Sequence, residues 1–548
     1  MFLKRTRSKN FIYLSIVETF REGSRVKHNT LLQLGREDQL AADGSLQRLI
    51  DSIARVGNVS AAQDGVSLGD IEERSRHNWG AVAVYKKLWQ TFELPGVLQK
   101  ACTSKRRKFD LSDAVFATVI ARACKPSSKK RVFERQQDFF SLPVVPLQHL
   151  YRSMDALAEG KDEIERLLFE RQKSLFDLQV DVVLYDVTTL YFESAKANDL
   201  KDFGYSKDAK FGEVQVVLGL ITDSDGRPIG FDVFPGNTFE GHTLITALNK
   251  LKARFKIRQV IVVADRGMNS KINLLAIKQA GFDYIVGSRL KNLKDSTKED
   301  LLDRTQFEPL MVNQETGEIE IEVRTLEHSQ EVSVEENGEK KKHILSELLV
   351  CTWSKRCATK DAHDREILIE RAKELVKAPS KIASKRGPRR FISVDNTDNP
   401  VLDEERIALD TTWDGFYGIQ CSRKDLSPQQ ILDAYHSLWK IEDAFRTLKH
   451  SLQARPIFHW TESRIKGHLV MCFIAFLLER TLQLELKKKH VALSIEGIRD
   501  ALASAQVSVL SDGKQQLYLA SPVTDEAKQI LAAFKIPLAT GLGTTPPI

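Results

Sequence analysis

The sequence predicts an α/β protein in which a strand-led core is interrupted by a β-rich insertion and preceded by a small β-hairpin region and an all-helical unit. Three observations lead there. The chain has 548 residues, 42% hydrophobic and 28% charged, ordinary values for a globular protein and several domains' worth of length. Its hydrophobic period is helical up to about residue 178 and changes to that of strands at Val180. Beyond that point the elements read strand, strand, strand, helix, strand, helix, strand, an order in which an antiparallel hairpin feeds parallel crossovers.

Residues 1–35 read as a basic arm and hairpin. Lys4, Arg5, Arg7 and Lys9 precede two extended runs between Phe11 and Leu34, which turn at Arg21-Glu22-Gly23-Ser24. Residues 36–178 read as helices, with Leu46, Leu49, Ile50 and Ile53, then Val82, Val84, Leu88 and Phe92, recurring at helical spacing before further helices over 112–124 and 164–176. Within this unit, residues 101–140 carry ten Lys and Arg against four Asp and Glu, in a chain whose whole surplus is +7. The densest part is Lys105-Arg106-Arg107-Lys108. Such a patch suits a polyanion, although a solvated helical face carries the same charge pattern.

Residues 179–289 form the first part of the core. Val180 to Tyr185 is a short apolar run of the kind buried on both faces of a sheet. Two more runs, 214–222 and 228–234, meet across Asp223-Ser224-Asp225-Gly226 as a hairpin. A helix over 242–255, a strand over 260–264, a helix over 270–280 and a strand over 284–286 follow. Residues 290–410 break this rhythm with alternating strands such as 318–323, a hairpin at Asn337-Gly338 and one charged helix over 364–376, and so form the insertion. Residues 411–485 return to the core. There Ser427 as N-cap, Pro428 at the first helical position and Gln430 closing a capping box predict a helix running to about Ser451. Residues 486–548 make a C-terminal region.

Some classes are excluded. The six cysteines are scattered without a Cys-x-x-Cys pair, so neither a zinc knuckle nor a disulfide framework is written here, and a reducing cytoplasm fits. The longest strongly apolar stretch, Leu469 to Leu478, is about half of what spans a bilayer. It reads as a buried helix, with no membrane partner.

The chemistry sits on three carboxylates. Asp186 ends the first core strand, and Asp265 ends the strand over 260–264. Ligands gather at the carboxyl ends of strands in open α/β sheets, so two such Asp can meet at one site; Asp is also common where strands give way to turns. Inside the helix from Ser427, Tyr435, Glu442 and Lys449 recur every seven residues. That is almost two turns, and it sets a hydroxyl, a carboxylate and an ammonium on one stripe at about 10 Å steps, as a solvated face also would. Glu240 and His242 read as capping and surface chemistry rather than a metal pair. His450, His459 and His468 have no ligand spacing.

Together these residues resemble the DDE transposases of bacterial insertion sequences, in the group with a Tyr-x2-Arg-x3-Glu-x6-Lys signature. Tyr435, Trp439-Lys440-Ile441-Glu442 and Lys449 fall at the family's spacing, while Leu438 stands where the signature has Arg. Tyr185-Asp186-Val187-Thr188-Thr189, Phe234-Pro235-Gly236-Asn237-Thr238 and Ala264-Asp265-Arg266-Gly267-Met268 are similar to the blocks that flank the two Asp. The resemblance covers roughly residues 180–480. It implies a ribonuclease H-like core with a β-rich insertion between the second Asp and the Glu, and the intervals of 79 and 177 residues agree.

The resemblance further implies that Asp186, Asp265 and Glu442 are catalytic and bind Mg²⁺ or Mn²⁺, two ions in all. It implies that Tyr435 and Lys449 contact DNA phosphates. Arg446, one turn beyond Glu442, is a candidate for the role of the missing Arg, and Trp353 and Trp413 are candidates for stacking on a base flipped out of the DNA end, unless they are core tryptophans of the insertion. Lys105, Arg106, Arg107 and Lys108, with the N-terminal hairpin, are expected to recognise DNA. The implied activity is binding of terminal inverted repeats, metal-dependent cleavage and joining of the ends to target DNA by a homodimer on paired ends, in a bacterial cytoplasm. Two other readings stay open: a metal-dependent nuclease on the same fold that does not transfer strands, and a non-catalytic DNA-binding descendant.

Overall fold

A computed structural model describes residues 2–544 apart from 10, 23–24, 57–70, 104–106, 177–180, 193–196, 205–212, 239, 256–259, 337–338, 378–386, 395–398, 512–514 and 540. The chain divides into two compact units, residues 1–75 with 509–518, and residues 76–508 with 519–548.

In the first unit β1 (Phe2–Ser8), β2 (Phe11–Glu22) and β3 (Arg25–Arg36) form an antiparallel meander on which α1 (Glu37–Ala42) packs, followed by α2 (Ser45–Val56). The expected hairpin is there, and the expected arm is its third strand. Residues 2–8 pair with 11–17, from Phe2↔Val17 to Ser8↔Phe11. The outer edge of β2 offers backbone groups that need partners, and β1 supplies them while its basic side chains stay in water. A short strand, β4 (Glu72–Asn78), interrupts the stretch read as helical throughout. It contains no apolar residue, so hydrophobic periodicity has nothing to register.

The second unit begins with helices α3 (Gly80–Thr91), α4 (Leu94–Ala101), α5 (Leu111–Cys124), α6 (Lys129–Glu134), α7 (Leu147–Glu159) and α8 (Lys161–Phe176). The Asp110 carboxylate accepts the Asp113 amide to start α5, which is buried almost all round because α3, α4 and α7 surround it.

The core strands are β5 (Val182–Tyr191), β6 (Gln215–Asp223), β7 (Pro228–Pro235), β8 (Ile261–Ala264) and β9 (Asp283–Gly287), with helices α9 (Glu240–Phe255) and α10 (Lys271–Gln279) between the later ones. In space they run β7-β6-β5-β8-β9; the first three are antiparallel, and β8 is parallel to both β5 and β9. This is the ribonuclease H-like arrangement. Tyr185, Val187, Val262, Tyr284 and Val286 meet Phe169 of α8, Leu244 of α9 and Leu274 of α10 in one buried cluster. Each such side chain contributes about 1.5–3 kcal/mol by leaving water.

The insertion supplies α11 (Asp295–Leu302), β10 (Glu308–Val312), β11 (Ile319–Glu336), β12 (Glu339–Trp353), α12 (Lys355–Val376), the two-stranded pair β13 (Ile392–Val394) and β14 (Pro400–Leu402), and α13 (Glu404–Thr411). It is continuous with the core sheet. β15 (Phe416–Cys421) pairs antiparallel with β9 on one side and β12 on the other, which makes a nine-stranded sheet ending in β11 and β10. The expected hairpin forms, with Glu336 opposite Glu339, although Asn337 and Gly338 lie outside the described residues.

Beyond β15, α14 (Pro428–His436), α15 (Trp439–Arg446), a π-helical turn (Thr447–Ser451) and α16 (Glu462–Lys488) complete the core. The capping box at Ser427 and Gln430 is present as expected. The single helix expected to Ser451 is broken at Ser437-Leu438. There the Ser437 hydroxyl donates back to the Asp433 carbonyl at 3.0 Å, and the Lys440 and Ile441 amides reach only three residues back, a local tightening that resets the helix axis.

The 469–478 run is buried in α16, which packs on α7 and α5, and a Cβ at Gly467 would collide with the Met154 carbonyl of α7. Among the described residues no helix is long and apolar enough to cross a membrane.

Candidate active site

Asp186 does not end its strand. β5 continues to Tyr191 because β6 keeps pairing with it, from Asp186↔Leu220 to Tyr191↔Gln215, and Val187-Thr188-Thr189 favours extended backbone. What ends at Asp186 is the parallel ladder to β8, whose last pair is Tyr185↔Ala264. Asp186 and Asp265 are therefore the next residues on two adjacent strands, whose backbones lie about 4.8 Å apart in a sheet. Tyr185 and Val187 face the buried cluster, so Asp186 between them faces the opposite side, against which α15 packs. α15 is seated by buried Ile441, Ala444 and Phe445 and leaves Glu442 exposed.

The result is one cleft of about 260 Å³ lined by Asp186, Asp265, Glu442, Tyr435, Tyr417, His436, Leu438, Trp439 and Ile441. Each Asp is oriented by the amide that follows it. Asp186 Oδ1 accepts the Val187 N–H at 2.7 Å, and Asp265 Oδ1 accepts the Arg266 N–H at 2.6 Å while capping the short turn Arg266–Met268. That turn is anchored by Asn269, which donates to the Gly287 carbonyl at 2.8 Å and to Gln420 at 2.5 Å; Gln420 in turn donates to buried Glu347 at 2.8 Å.

Tyr435 is 7% exposed, and its hydroxyl lies 2.7 Å from that of Tyr417 on β15. Burial, then the neighbouring Tyr417 and Asp265, push the Tyr435 hydroxyl well above the ordinary tyrosine range, and burial raises Tyr417 too. Both phenols therefore stay protonated. Gly287 makes room for them: a Cβ there would lie 2.6 Å from the Tyr435 hydroxyl.

The Glu442 helix is held from both sides of that residue. Lys440 donates to the Ser224 carbonyl in the β6–β7 turn, and Asp443 accepts from Arg480 of α16 at 2.7 Å. Across Tyr417 a second cavity, about 250 Å³, adjoins the cleft and is lined by Arg266, Arg289, Lys291 and Trp413 among others.

The structure thus brings Asp186, Asp265, Glu442 and Tyr435 together and leaves other expected residues elsewhere. Arg446 and Lys449 do not line the cleft; Arg446 is 71% exposed and lies 3.9 Å from Asp443, and Lys449 is half-buried in the π-helical turn. Leu438 is buried at the cleft wall. Trp353 donates its indole N–H to the Asp414 carbonyl at 3.0 Å, and the Arg304 guanidinium covers its ring at 3.3 Å. Trp413 packs edge-on against Phe416.

Arg107 donates to the Cys102 carbonyl and Lys108 is exposed, whereas Lys105 and Arg106 lie outside the described residues, as do the side chains of Glu240 and His242. Sequence reasoning missed Tyr417, Arg480 and Asn269, which no spacing connects to the carboxylates.

The donor set is all oxygen, the chemistry of a hard divalent cation. Among the described residues no group of three or more His, Cys, Asp or Glu is placed to hold a metal ion.

Comparison with known families agrees with this architecture. The model described as "Transposase DDE domain" matches residues 179–478, more than half of the chain, and the model for the N-terminal domain of IS1634 family transposases matches residues 3–64. The chain belongs to the DDE transposases of insertion sequences. It is a DNA transposase, an enzyme that acts on DNA, and DDE domains use divalent metals. Among solved structures, a piggyBac transposase synaptic complex with hairpin DNA is similar at a TM-score of 0.36 and 10% identity, over 77% of this chain and 79% of that one. No curated protein matches the chain.

Proposed function

We propose that Asp186, Asp265 and Glu442 are the catalytic carboxylates of this transposase, and that it cleaves DNA at its element's terminal inverted repeats and joins those ends to target DNA. One observation carries the reading: three carboxylates, 79 and 177 residues apart in the chain, line a single cleft. They would hold Mg²⁺ or Mn²⁺, two ions in this reading, which when bound offset the mutual repulsion of the carboxylates and polarise the phosphodiester and its attacking hydroxyl.

The chain's own residues do the rest. The amides of Val187 and Arg266 fix the two Asp. Lys440 and Arg480 fix the segment carrying Glu442. The protonated Tyr435–Tyr417 pair offers a neutral hydroxyl donor to a phosphate oxygen, and Arg266 adds positive charge beside it. Buried Leu438 and Ile441 keep water from one wall. Lys449 and Arg446, at the end of the same helical segment, contact the DNA beyond the cleft. Residues 1–35 and 36–178, with Lys105, Arg106, Arg107 and Lys108, recognise the ends; residues 290–410 support them, with Trp413 or Trp353 beside the flipped base; and a homodimer holds paired ends in the bacterial cytoplasm, on the nucleoid.

The test incubates the full chain and Mg²⁺ with pre-cut DNA ends from the gene's flanks and a supercoiled target plasmid. Joined products that vanish in Asp186→Asn are expected. Hydrolysis without joining would convert the reading to that of a nuclease, and joining unaffected by Asp186→Asn, Asp265→Asn and Glu442→Gln would remove the carboxylates from it.

A further inference from the structure

Part of the basic stretch at 101–140 points inward. Arg122 of α5 and Lys129 of α6 are only 7% and 3% exposed, and together with Tyr151, Arg455, His459 and His468 they line a cavity of about 120 Å³. That is room for several water-sized groups, the threshold for one being ~10–15 Å³. None of the described residues lining it is acidic.

Arg122 spends its N–H groups on carbonyls, those of Leu452 at 3.3 Å, Gln453 at 3.0 Å and Ser127 at 3.1 Å. These satisfy its donors without neutralising its charge. Among the described residues no carboxylate pairs with Lys129. Asp155, on the neighbouring α7, lies 3.5 Å from Arg464 instead. His468, 4% exposed, engages the Ala454 carbonyl through Nε2 at 3.1 Å, and among the described residues its Nδ1 has no partner. A buried cation lacking a counter-charge is costly, and burial, with Arg122 beside it, pulls the Lys129 ammonium down to about 7.

We propose that this cavity is a phosphate site, in which Lys129, Arg122, Arg455 and the His468 ring enclose a tetrahedral oxyanion, and that the phosphate it takes in the working protein belongs to the DNA backbone. The second half rests on the transposase reading and on two further observations. Phe458 and Trp460, on either side of His459, are 60% and 66% exposed, as rings that stack on bases must be. Arg455 lies over the ring of Tyr191 at 5.2 Å, and Ile457 donates its amide to the Tyr191 carbonyl at 3.3 Å. Tyr191 is five residues along β5 from Asp186, about 16 Å at 3.3 Å per residue, or roughly five nucleotide steps of a DNA strand at 3.4 Å each. One strand therefore links the carboxylate cleft to the cationic cavity across a length that DNA would span.

The experiment uses the full chain, Lys129→Met, which keeps the buried volume, and Arg455→Gln, which alters a half-buried position. Thermal melting is compared in inorganic phosphate and in chloride at matched ionic strength, with the chloride melt reporting that each variant folds. Binding of a labelled duplex from the gene's flanks is measured across a salt series. Expected are a phosphate-specific rise in Tm that both variants lose, and a slope of log affinity against log salt shallower by about one in each. A phosphate effect lost in the variants with unchanged DNA slopes would keep the oxyanion site and overturn its assignment to DNA. No phosphate effect and unchanged slopes would overturn the whole proposal. A wild-type chain that shows the phosphate effect yet binds no DNA would sink the transposase reading and leave the oxyanion site standing.

Discussion

Tyr435 occupies space that any side chain at residue 287 would claim: its hydroxyl lies 2.6 Å from where a Cβ on Gly287 would fall. The second-nearest obstruction is Arg266 Cβ at 3.1 Å, so the turn after Asp265 is touched as well. Gly287→Ala is expected to displace the Tyr435 hydroxyl from Tyr417 while the sheet survives, because a side-chain end moves more cheaply than backbone. Strand joining should fall about tenfold or more, roughly 1.4 kcal/mol of barrier, with Tm lowered by only a few degrees. A variant with full joining activity would show that the Tyr435 position does not matter.

Asp186 sits within β5 and Asp265 just beyond the end of β8, whereas Glu442 sits on a helix anchored through its neighbours. In the catalytic reading, Asp186→Asn, Asp265→Asn and Glu442→Gln should each lower cleavage by roughly a thousandfold, about 4 kcal/mol, with DNA binding retained. Saturating Mg²⁺ or Mn²⁺ should raise the Tm of the wild-type chain, and a chelator should reverse the rise, since a ligand at a hundred times its Kd adds about 2.7 kcal/mol. Asp186→Asn should show no such rise. A metal-dependent shift equal in wild type and variant would place the cation elsewhere.

Much of this arrangement could be read from the chain because buried core strands are apolar and contiguous. Val216 to Thr222 and Val262 to Ala264 announce themselves, and so does the Ser427 cap. What stayed hidden has physical reasons. β4 has no apolar residue and β1 is wholly exposed, so neither leaves a hydrophobic period. The continuation of β5 past Asp186 depends on β6 pairing with it as far as Tyr191, which no local period records.

The break at Ser437 arises from a side-chain hydroxyl competing for a helix carbonyl, and it spoils a stripe calculated at 3.6 residues per turn while leaving Tyr435 and Glu442 at one cleft. Arg122 and Lys129 looked like part of a surface patch because composition records charge without direction.

Arg480 tests whether Glu442 is positioned through the residue next to it. Its guanidinium, 10% exposed, donates to Asp443, 27% exposed. Arg480→Met keeps the stem and leaves Asp443 without this partner, a loss of about 1–3 kcal/mol. Tm should fall accordingly, and joining should fall further than stability explains at a temperature where the variant is fully folded. Arg480→Lys should restore part of both. Loss of stability with unchanged turnover would confine the pair to holding α15 against α16.

The cationic cavity also sets a pH dependence. Lys129 on α6 faces Arg122 on α5, Arg455 and His459 on the following segment, and His468 and Cys472 on α16. Burial leads in holding Lys129 down to about 7, with Arg122 adding to it; burial, then the charges of Lys129, Arg464 and Arg122, hold His459 down to about 4; and burial, then Arg122, Lys129 and His459, lower His468. A base whose folded value is depressed binds fewer protons in the native than in the unfolded chain, so its contribution to stability grows with pH through the interval between the two values. For Lys129 that interval runs from about 7 to its ordinary 10.5, and for His459 from about 4 to 6.5. Melting in phosphate-free buffer should therefore show Tm rising across both intervals from this cluster. Lys129→Met should erase the upper rise, lessen the lower one without abolishing it because burial still leads there, and melt higher than wild type at pH 6. An upper limb unchanged in Lys129→Met would mean that Lys129 carries a full charge in the folded chain and has a counter-ion.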